Sequence, residues 1–417
     1  MRIAQPRPMA IAAAAALVFS AAAVSPVQAQ QAAPAYSGDV VRIGVLTDMS
    51  GPYSGMGGPG SIVATRMAVE ECLKAECAGM NIDVVSADHQ NKADIAAATA
   101  RQWLDQGGVD AMVDLTNSAA SLAVQKLVRD KGSIAMFSGP ATTRLTNEDC
   151  SPFGFHWMFD TYSLAAGTAA ALTKMGEKNW FFITVDYAFG HSLEKDAGEV
   201  VRENGGAVSG QVRHPLNSTD FSSFLLQAQT SKAQVVALAN GGADTVTAIK
   251  QAREFGVGAG KNQRLAALLL FLTDIHALGL EAAQNLSYVD GFYWDFDEGT
   301  RSFASRFEKL HKGAKPTMVQ AGVYSSVRHY LKSVVAAKSD NGEAVAKKMR
   351  ELPIQDEVMR NASIREDGRV IHDTYLVEVK KPSESKGAWD YVKVLSTIPA
   401  ADAFQPLSKS SCPLIKR

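Results

Sequence analysis

The residues best suited to hold a ligand follow a short apolar run, Val41 to Leu46. They form a glycine-rich loop, Ser50 to Gly60, which carries one aromatic side chain, Tyr53, and precedes a predicted helix from about Ser61. Backbone N–H groups in such a loop, and the N-terminus of the next helix, favour a negatively charged ligand group. The tyrosine ring could cover an apolar ligand body. The loop is therefore a candidate site for a nucleotide or for a smaller anion.

Catalytic motifs are missing from the chain. It lacks the GxxxxGKS/T sequence of phosphate-binding loops and the GxSxG sequence of serine hydrolases. The histidines His89, His191, His214 and His276 are scattered, without the HExxH pairing of a metal site. No spacing of cysteine and histidine indicates a metal either. These observations favour a binding protein over an enzyme, with no cofactor and no metal.

Further candidate side chains follow the other predicted strands. In a doubly wound sheet, ligands lie beyond the carboxyl ends of the strands. Hydroxyls, amides and backbone N–H groups suit a carboxylate there, and aromatic rings can enclose an apolar body. The predicted ligand-binding residues are Tyr53, His89, Gln90, Asn117, Ser118, Ser138, Gly139, Pro140, Ala141, Asp186, Tyr187, Phe189, Arg213, Asn240, Asp244 and Phe271.

Several of these candidates have a structural alternative. Asp186, like Asp48 in the first loop, could cap the following helix instead. Tyr187 and Phe189 could pack between the two halves of the chain rather than on a ligand. The aromatic residues in FHWMFDT and FYWDF are better explained by packing near a hinge.

Short apolar runs alternate with helical patterns along the chain. Runs at residues 41–46, 81–88, 109–115 and 133–139 are each followed by polar or small residues. This alternation predicts a parallel sheet with helices on both faces. It restarts at residues 180–186, where the next residues repeat the acid–tyrosine–glycine order of the first loop. We therefore expect an α/β fold with two doubly wound parallel-sheet lobes.

The chain is expected to cross between these lobes more than once, because strand–helix units reappear after an extended run at residues 288–296. The predicted organisation is lobe 1 at 40–157 plus 293–353, and lobe 2 at 158–292 plus 354–417, which includes the C-terminal tail. A hairpin is expected near residues 369–380. Several crossovers form a multi-strand hinge, and hinge closure around a ligand in the interlobe cleft is a known domain motion.

The N-terminus predicts export from the cytoplasm. Arg2 and Arg7 precede an alanine-rich apolar run, and Val27-Gln28-Ala29 fits a cleavage site. We therefore expect a signal peptide over residues 1–29, cleaved after Ala29. A membrane anchor is the alternative, but the run is short for a membrane span. The formal net charge of -1 does not indicate nucleic acid as a partner.

Four cysteines form an even set in a chain predicted to be exported, so disulfides are permitted. Three pairings are possible, and we favour Cys72–Cys77 with Cys150–Cys412. The first would close a small loop at the end of the first helix. The second would tie the C-terminal tail to the middle of the chain.

Five segments in this order carry a family resemblance: VRIGVLTDMSGPYSGMG, SADHQNKAD, FSGPATTRLT, VDYAFGHSLE and ALANGGADTVTAIKQAREFG. The chain resembles the branched-chain amino-acid (leucine/isoleucine/valine) binding family among the periplasmic solute-binding proteins of ABC transporters, over essentially all of the chain after the signal peptide. The resemblance implies the type I periplasmic-binding fold and a periplasmic monomer. It also implies capture of a small molecule by hinge closure and its delivery to a membrane permease.

The resemblance also assigns roles to residues. It implies that loops at Asn117-Ser118 and at Ser138 to Ala141 hold a ligand carboxylate, and that Tyr53 with Tyr187 or Phe189 supplies aromatic contacts. The amino-acid binders of the family carry an acid at the end of a late strand, where it pairs with the ligand's ammonium. Here that position falls near Leu270 or Phe271, and Asp274 is displaced.

Burying an ammonium group without a partner is costly. We therefore expect a small carboxylate ligand with an aromatic or apolar body. The segments DHQNKAD and PLNSTDFSSFLLQAQ resemble the aromatic-acid branch of the family, and His89, Arg144 or Arg213 could donate to ring substituents or to the carboxylate. The alternatives are binding and transport of branched-chain or other amino acids, a sensory protein that reports to a receptor, and an enzyme.

Overall fold

The computed structural model describes residues 1–5, 36–258 and 263–416. Residues Ala35–Arg417 form one compact unit, separate from Met1–Pro34, and the description below concerns this unit. The predicted cleavage site after Ala29 lies outside the described residues. Within the described ranges, none of the helices combines the length and the apolar character needed to cross a membrane.

The first sheet has five parallel strands in the order β2-β1-β3-β4-β5. These strands are β1 Val41–Thr47, β2 Ile82–Asp88, β3 Ala111–Asp114, β4 Ile134–Phe137 and β5 Gly154–His156. All residues of β3, β4 and β5 are buried, which explains why their sequences are mainly apolar, although β3 ends at Asp114 and β5 at His156. The connecting helices are α1 Gly58–Leu73, α2 Ala93–Gln102 and α3 Ser118–Lys131.

The second sheet has four parallel strands in the order β7-β6-β8-β9. They are β6 Asn179–Val185, β7 Ala207–His214, β8 Val235–Ala239 and β9 Arg264–Ala267. The helices here are α4 Thr161–Lys174, α5 Ala188–Glu203, α6 Ser222–Thr230, α7 Ala243–Glu254, α8 Leu272–Leu278 and α9 Leu280–Ala283. This strand order repeats that of the first sheet, so the predicted pair of doubly wound lobes is confirmed.

The remaining elements connect the two sheets. They are β10 Ser287–Asp290, α10 Glu298–Leu310, α11 Met318–Ala337, α12 Gly342–Glu351, β11 Ser363–Ile364, β12 Val370–Ile371, β13 Thr374–Val379, β14 Val392–Ile398 and α13 Ala400–Ala403. Helices α10 and α11 pack on α1 of the first lobe, whereas α4 packs on β10. Strands β10, β13 and β14 form an antiparallel sheet. The chain therefore returns to the first lobe after β10, and the exact lobe boundaries stay a prediction.

The hairpin predicted near residues 369–380 is wrong. Strand β12 pairs with β11, and β13 pairs with β10 and β14, so the two strands belong to different sheets. Between them, the His372 ring is hydrogen-bonded to the carbonyls of Met158 and Asp373, both at 2.7 Å. These bonds hold the connection against another segment instead of closing a tight turn. The extended run at 288–296 is also shorter than expected, since the strand ends at Asp290.

Both favoured disulfides are present. Cys72 and Cys77 close a short loop after α1, and Cys150 bonds to Cys412 across a sequence separation of 262. The tail near Cys412 is also fixed by hydrogen bonds, because Asn147 accepts from the Ser411 N–H at 3.0 Å. None of the described cysteines is free.

Candidate ligand-binding cleft

A buried acid organises the first glycine-rich loop. One Asp48 oxygen accepts the Gly51 N–H at 2.7 Å, and the other accepts the Tyr53 N–H at 3.0 Å. Asp48 therefore shapes the loop, while the N-cap position of α1 is held by Gly57. The alternative role of Asp48 as a helix cap is wrong. Its bonds fix the backbone from which the Tyr53 ring projects.

The same loop contains a GxGxxG spacing at Gly55, Gly57 and Gly60. This spacing can mark a dinucleotide site when the helix N-terminus is open to a pyrophosphate. Here the Gln320 amide of α11 covers that end of α1 and donates to the Gly57 carbonyl at 3.1 Å. A Cβ atom on Gly60 would overlap the same amide. These glycines thus permit the close approach of α11.

A turn with unusual backbone geometry follows β3. Asp114 and Leu115 have φ values of 78° and 60°, in the left-handed region that leucine rarely adopts. Such a residue costs about 1–3 kcal/mol and persists only where its surroundings enforce it, often at functional sites. The turn leads directly into α3, where Asn117 caps the helix by accepting the Ala120 N–H at 2.9 Å. Ser118 is consequently held at the first position of the helix.

The loop after β4 lies directly on this turn. A Cβ atom on Gly139 would lie 2.5 Å from Asp114 Oδ1 and 2.7 Å from Thr116 Cα, so only glycine permits the approach. The Ser118 hydroxyl oxygen accepts the N–H groups of Ala141 and Thr142, each at 3.3 Å. Because this oxygen acts as an acceptor in both bonds, its own proton is available for another partner.

These loops and the second lobe flank a narrow cavity with a volume of about 10 Å³. Of the predicted residues, it is lined by Tyr53, Ser118, Gly139, Ala141, Tyr187 and Phe189. Met56, Thr116 and Leu269 also line it. The lining residues carry hydroxyls and apolar groups and no charged side chain. This volume is far below the roughly 300–1,000 Å³ of sites for drug-sized ligands, so the two lobes must move apart before the cavity can hold a ligand.

Two tyrosines connect the lobes across this cavity. The hydroxyls of Tyr53 and Tyr187 lie 2.7 Å apart and form a hydrogen bond. Burial raises the pKa of both phenols, so both stay neutral. The ring of Phe189 lies 6.0 Å from that of Tyr187, between centroids. Aromatic surface therefore forms the second-lobe side of the cavity.

Other hydrogen bonds join the lobes around the cavity. The Ala243 N–H donates to the Pro52 carbonyl at 3.3 Å. On another side, the hydroxyls of Thr142 and Ser192 are 2.8 Å apart. The Thr143 hydroxyl donates to Asp196 at 3.1 Å, and burial raises the pKa of this aspartate to about 7. These contacts describe a closed arrangement of the two lobes.

The other predicted residues lie outside the cavity lining: His89, Gln90, Asn117, Ser138, Pro140, Asp186, Arg213, Asn240, Asp244 and Phe271. His89 lies behind the lining, with its Nε2 atom 3.3 Å from the Thr116 hydroxyl, and burial lowers its pKa. Gln90 is exposed. The Pro140 carbonyl and the His156 ring form a hydrogen bond of 2.8 Å.

In the second lobe, the predicted polar residues that lie outside the cavity lining form hydrogen bonds or ion pairs with nearby residues. Asp186 and Arg213 are exposed, and Asp186 pairs with His191 at 2.7 Å, so it does not cap α5. Asn240 is buried and accepts the Thr245 hydroxyl at 2.7 Å.

Two further predicted residues, Asp244 and Phe271, are buried in the second lobe but do not line the cavity. Asp244 accepts the Asn217 N–H at 3.2 Å, and burial raises its pKa to about 6. The Phe271 ring packs on Phe159 with centroids 6.0 Å apart.

At the end of the late strand, where the amino-acid binders of the family carry an acid, Leu269 lines the cavity. The nearest acid, Asp274, is turned away because its carboxylate accepts the Phe271 N–H at 3.0 Å at the start of α8. Burial raises the pKa of Asp274 to about 7. No acidic side chain lines the cavity within the described chain, and no cluster of described residues there or elsewhere is suited to hold a metal ion.

The comparisons with known proteins agree with this architecture. A family model described as "Periplasmic binding protein" matches residues 40–388. The Leu/Ile/Val-binding protein homolog 6 of Brucella melitensis biotype 1 is 23% identical over 339 residues, which cover 75% of this chain and 81% of that protein. These relatives are binding proteins, which confirms the prediction against an enzyme.

Solved structures are similar over most of the chain. A periplasmic binding protein from Burkholderia mallei is 49% identical with a TM-score of 0.88, and the match covers 91% of this chain and 100% of that one. A branched-chain amino acid ABC transporter periplasmic ligand-binding protein from Burkholderia xenovorans LB400 is 38% identical with a TM-score of 0.80, over 90% and 99% of the two chains. A solute-binding protein of an ABC transporter from R. palustris, in complex with benzoate, shares the fold at 18% identity with a TM-score of 0.78, over 90% and 99%.

Proposed function

This chain belongs to the periplasmic binding protein family, and on that premise we propose that it captures a small carboxylate with an aromatic or apolar body for an ABC importer. The observation that carries the proposal is the composition of the cavity lining. Hydroxyl groups lie on the first-lobe side, aromatic rings face them, and no charged side chain is present. An uncharged lining of this kind suits a ligand whose only charge is one carboxylate.

The carboxylate of the ligand is held by the first lobe. Ser118 stands at the first position of α3, where the helix N-terminus favours negative charge. Its hydroxyl proton is free to donate, because the oxygen already accepts from Ala141 and Thr142. Thr116 also lines the cavity, but its hydroxyl lies 3.3 Å from His89 Nε2 and accepts the Asp48 N–H. The serine hydroxyl and the helix N-terminus together replace the hydration of one carboxylate without a positive side chain.

The body of the ligand contacts the apolar part of the lining. Tyr187, Phe189 and Leu269 from the second lobe face Tyr53 and Met56 from the first. An α-amino acid would place its ammonium against this surface, with Asp274 already committed to the start of α8. Burial of an unpaired ammonium is expensive, which disfavours an amino-acid ligand.

Capture follows hinge closure. The ligand first binds the first lobe, and the second lobe then brings Tyr187 and Phe189 over it. The ligand shifts the open and closed populations by its differential affinity for the two forms. The closed form then delivers the ligand to a membrane permease. Export to the periplasm through the predicted signal peptide places the protein where such capture is useful.

A ligand screen by thermal shift tests the proposal. We expect benzoate or 4-hydroxybenzoate to stabilise the protein, by about 2.7 kcal/mol at a concentration of ~100 times the dissociation constant. Leucine and valine, at the same concentrations, should leave the melting temperature unchanged. Stabilisation by leucine or valine but by no aromatic acid would favour amino-acid transport and contradict the proposal.

Replacing Gly242 with alanine should weaken benzoate binding by about tenfold, which corresponds to ~1.4 kcal/mol. Gly242 has a φ of 59°, and a Cβ atom there would lie 2.5 Å from the Pro52 carbonyl oxygen and 3.0 Å from Tyr53 Cδ1. Because both atoms belong to the other lobe, the added methyl group opposes closure. Isothermal titration calorimetry gives the affinity.

Gly256→Ala is the matched control for this change. Gly256 lies in the same lobe with a φ of 69°, but a Cβ atom there would meet nothing within 4 Å. Both variants carry the cost of alanine in a left-handed conformation, about 1–2 kcal/mol. Only Gly242→Ala should lose affinity. Equal dissociation constants for the two variants would show that the Gly242 contact is irrelevant to closure.

A further inference from the structure

A buried carboxyl group lies directly behind the wall of the cavity. Asp114 is fully buried at the end of β3, and neither of its oxygens has a hydrogen-bond partner of normal geometry among the described residues. Its Oδ1 atom would lie 2.5 Å from a Cβ atom on Gly139, which is a lining residue. Its Oδ2 atom would lie 2.7 Å from a Cβ atom on Gly57. A ligand carboxylate near Ser118 is therefore separated from Asp114 by little more than a glycine backbone.

The groups around Asp114 compensate a negative charge only in part. Burial is the largest cause of its pKa shift and raises the pKa to about 6. The carboxylate of Asp48, in the loop after β1, raises it further, while the hydroxyls of Thr47 and Ser61 lower it. Beyond β2, the imidazole of His89 is directed to the Thr116 hydroxyl.

We propose that Asp114 takes up a proton when a carboxylate ligand enters the cavity, so that ligand capture is coupled to protonation of the protein. This inference deepens the proposed function and rests on it, because it requires an anionic ligand. Two carboxylates at close range in a buried site do not both stay ionised, and one of them binds a proton. The ligand is held by hydroxyl and N–H donors that need its ionised form. The proton therefore goes to Asp114, whose carboxyl group is fully buried and accepts no N–H hydrogen bond from the described residues.

The direction of the pH dependence follows from this coupling. The ligand raises the pKa of Asp114 above its value in the free protein, so the bound form holds more protons. Affinity is then constant at low pH, where Asp114 is already protonated. It falls as pH rises above about 6 and levels off above the pKa of the bound form. One coupled proton limits the fall to about tenfold per pH unit.

Calorimetric titrations with benzoate between about pH 5.5 and pH 8.5 test the coupling, since an aromatic carboxylic acid is ionised throughout this range. We expect the wild type to lose affinity above about pH 6 and Asp114→Asn to bind with an affinity independent of pH. Asparagine is isosteric and tolerates the left-handed backbone at this position. The amide mimics the protonated carboxyl group.

Asp110→Asn is the matched control. Asp110 precedes the opposite end of β3, where it accepts the Arg42 N–H at 2.7 Å, and burial raises its pKa to about 6 as well. This variant should keep the full pH dependence of the wild type. A second measurement needs no variant: titrations in buffers of different ionisation enthalpy should reveal net proton uptake on binding near pH 7, approaching one proton per ligand.

The outcomes separate this inference from the proposed function. If benzoate binds with the same pH dependence in Asp114→Asn as in the wild type, or without proton uptake, the coupling is refuted and the proposed function stands. If neither benzoate nor 4-hydroxybenzoate binds the wild type at any pH, the proposed function fails, and the coupling fails with it. Should Asp114→Asn not fold, the proton-uptake measurement on the wild type decides alone.

Discussion

Replacing Ser118 with alanine should weaken benzoate binding by about 10- to 100-fold. A hydrogen bond to a charged group contributes about 1.5–3 kcal/mol, and each 1.4 kcal/mol is a factor of ten in affinity. The serine hydroxyl is the donor that the first lobe offers at the start of α3. Its removal leaves the ligand carboxylate with a weaker replacement for its lost hydration. Isothermal titration at a fixed pH below 6 measures the effect with Asp114 protonated.

The control for this change is Ser223→Ala, an exposed serine near the start of α6 that should leave the affinity unchanged. Melting temperatures of both variants must be compared, since the N–H groups of Ala141 and Thr142 also lose an acceptor in Ser118→Ala. A folded Ser118→Ala protein with wild-type affinity would place the carboxylate at another part of the cavity.

Much of the fold could be predicted from the sequence because the two sheets are buried on both faces. Their central strands are mainly apolar and are separated by helices with regular spacing. The hairpin predicted near residues 369–380 is wrong because the two strands in this segment belong to different sheets. Two adjacent strands in sequence can pair with distant partners, and the sequence does not show that the His372 ring fixes the link between them.

The candidate site was predictable only in part. Ligands of doubly wound sheets lie beyond the ends of the strands, and Tyr53, Ser118 and Tyr187, which follow strands, do line the cavity. Asn117 follows a strand as well, but it satisfies the free N–H groups of α3, as N-cap residues commonly do. Nothing in the sequence distinguishes a polar side chain that caps a helix from one that lines the cavity.

Three lining residues, Met56, Thr116 and Leu269, were not predicted from the sequence, and they differ in whether the sequence contains any indication of their position. Met56 and Leu269 are apolar lining residues, and an apolar residue facing a cavity has the same sequence signature as one in the core. Thr116 did carry a signal, since its hydroxyl directly precedes the candidate pair Asn117-Ser118. The buried carboxyl of Asp114 was invisible for a further reason, because its importance depends on Gly139 from the next strand.

Stability near the hinge depends on one buried cation. The Arg369 side chain is fully buried and donates to the carbonyls of Phe159 at 3.1 Å and Trp157 at 3.3 Å. It lies 3.5 Å from the buried carboxylate of Asp160, and its guanidinium stacks 4.1 Å from the centroid of the Phe404 ring. Arg369 therefore connects β12 and the segment before α4 with the C-terminal tail.

Replacing Arg369 with methionine should destabilise the protein by about 3–5 kcal/mol, because the change leaves Asp160 as a buried charge without its cation. Two buried carbonyls also lose their donor, and methionine restores only the packing volume. The midpoint of urea denaturation should fall accordingly. Arg301→Ala is the control: its pair with Asp295 is about half exposed, and its loss should cost at most ~1 kcal/mol. Similar midpoints for the two variants would mean that Asp160 relaxes toward water, and that the buried ion pair does not hold these segments together.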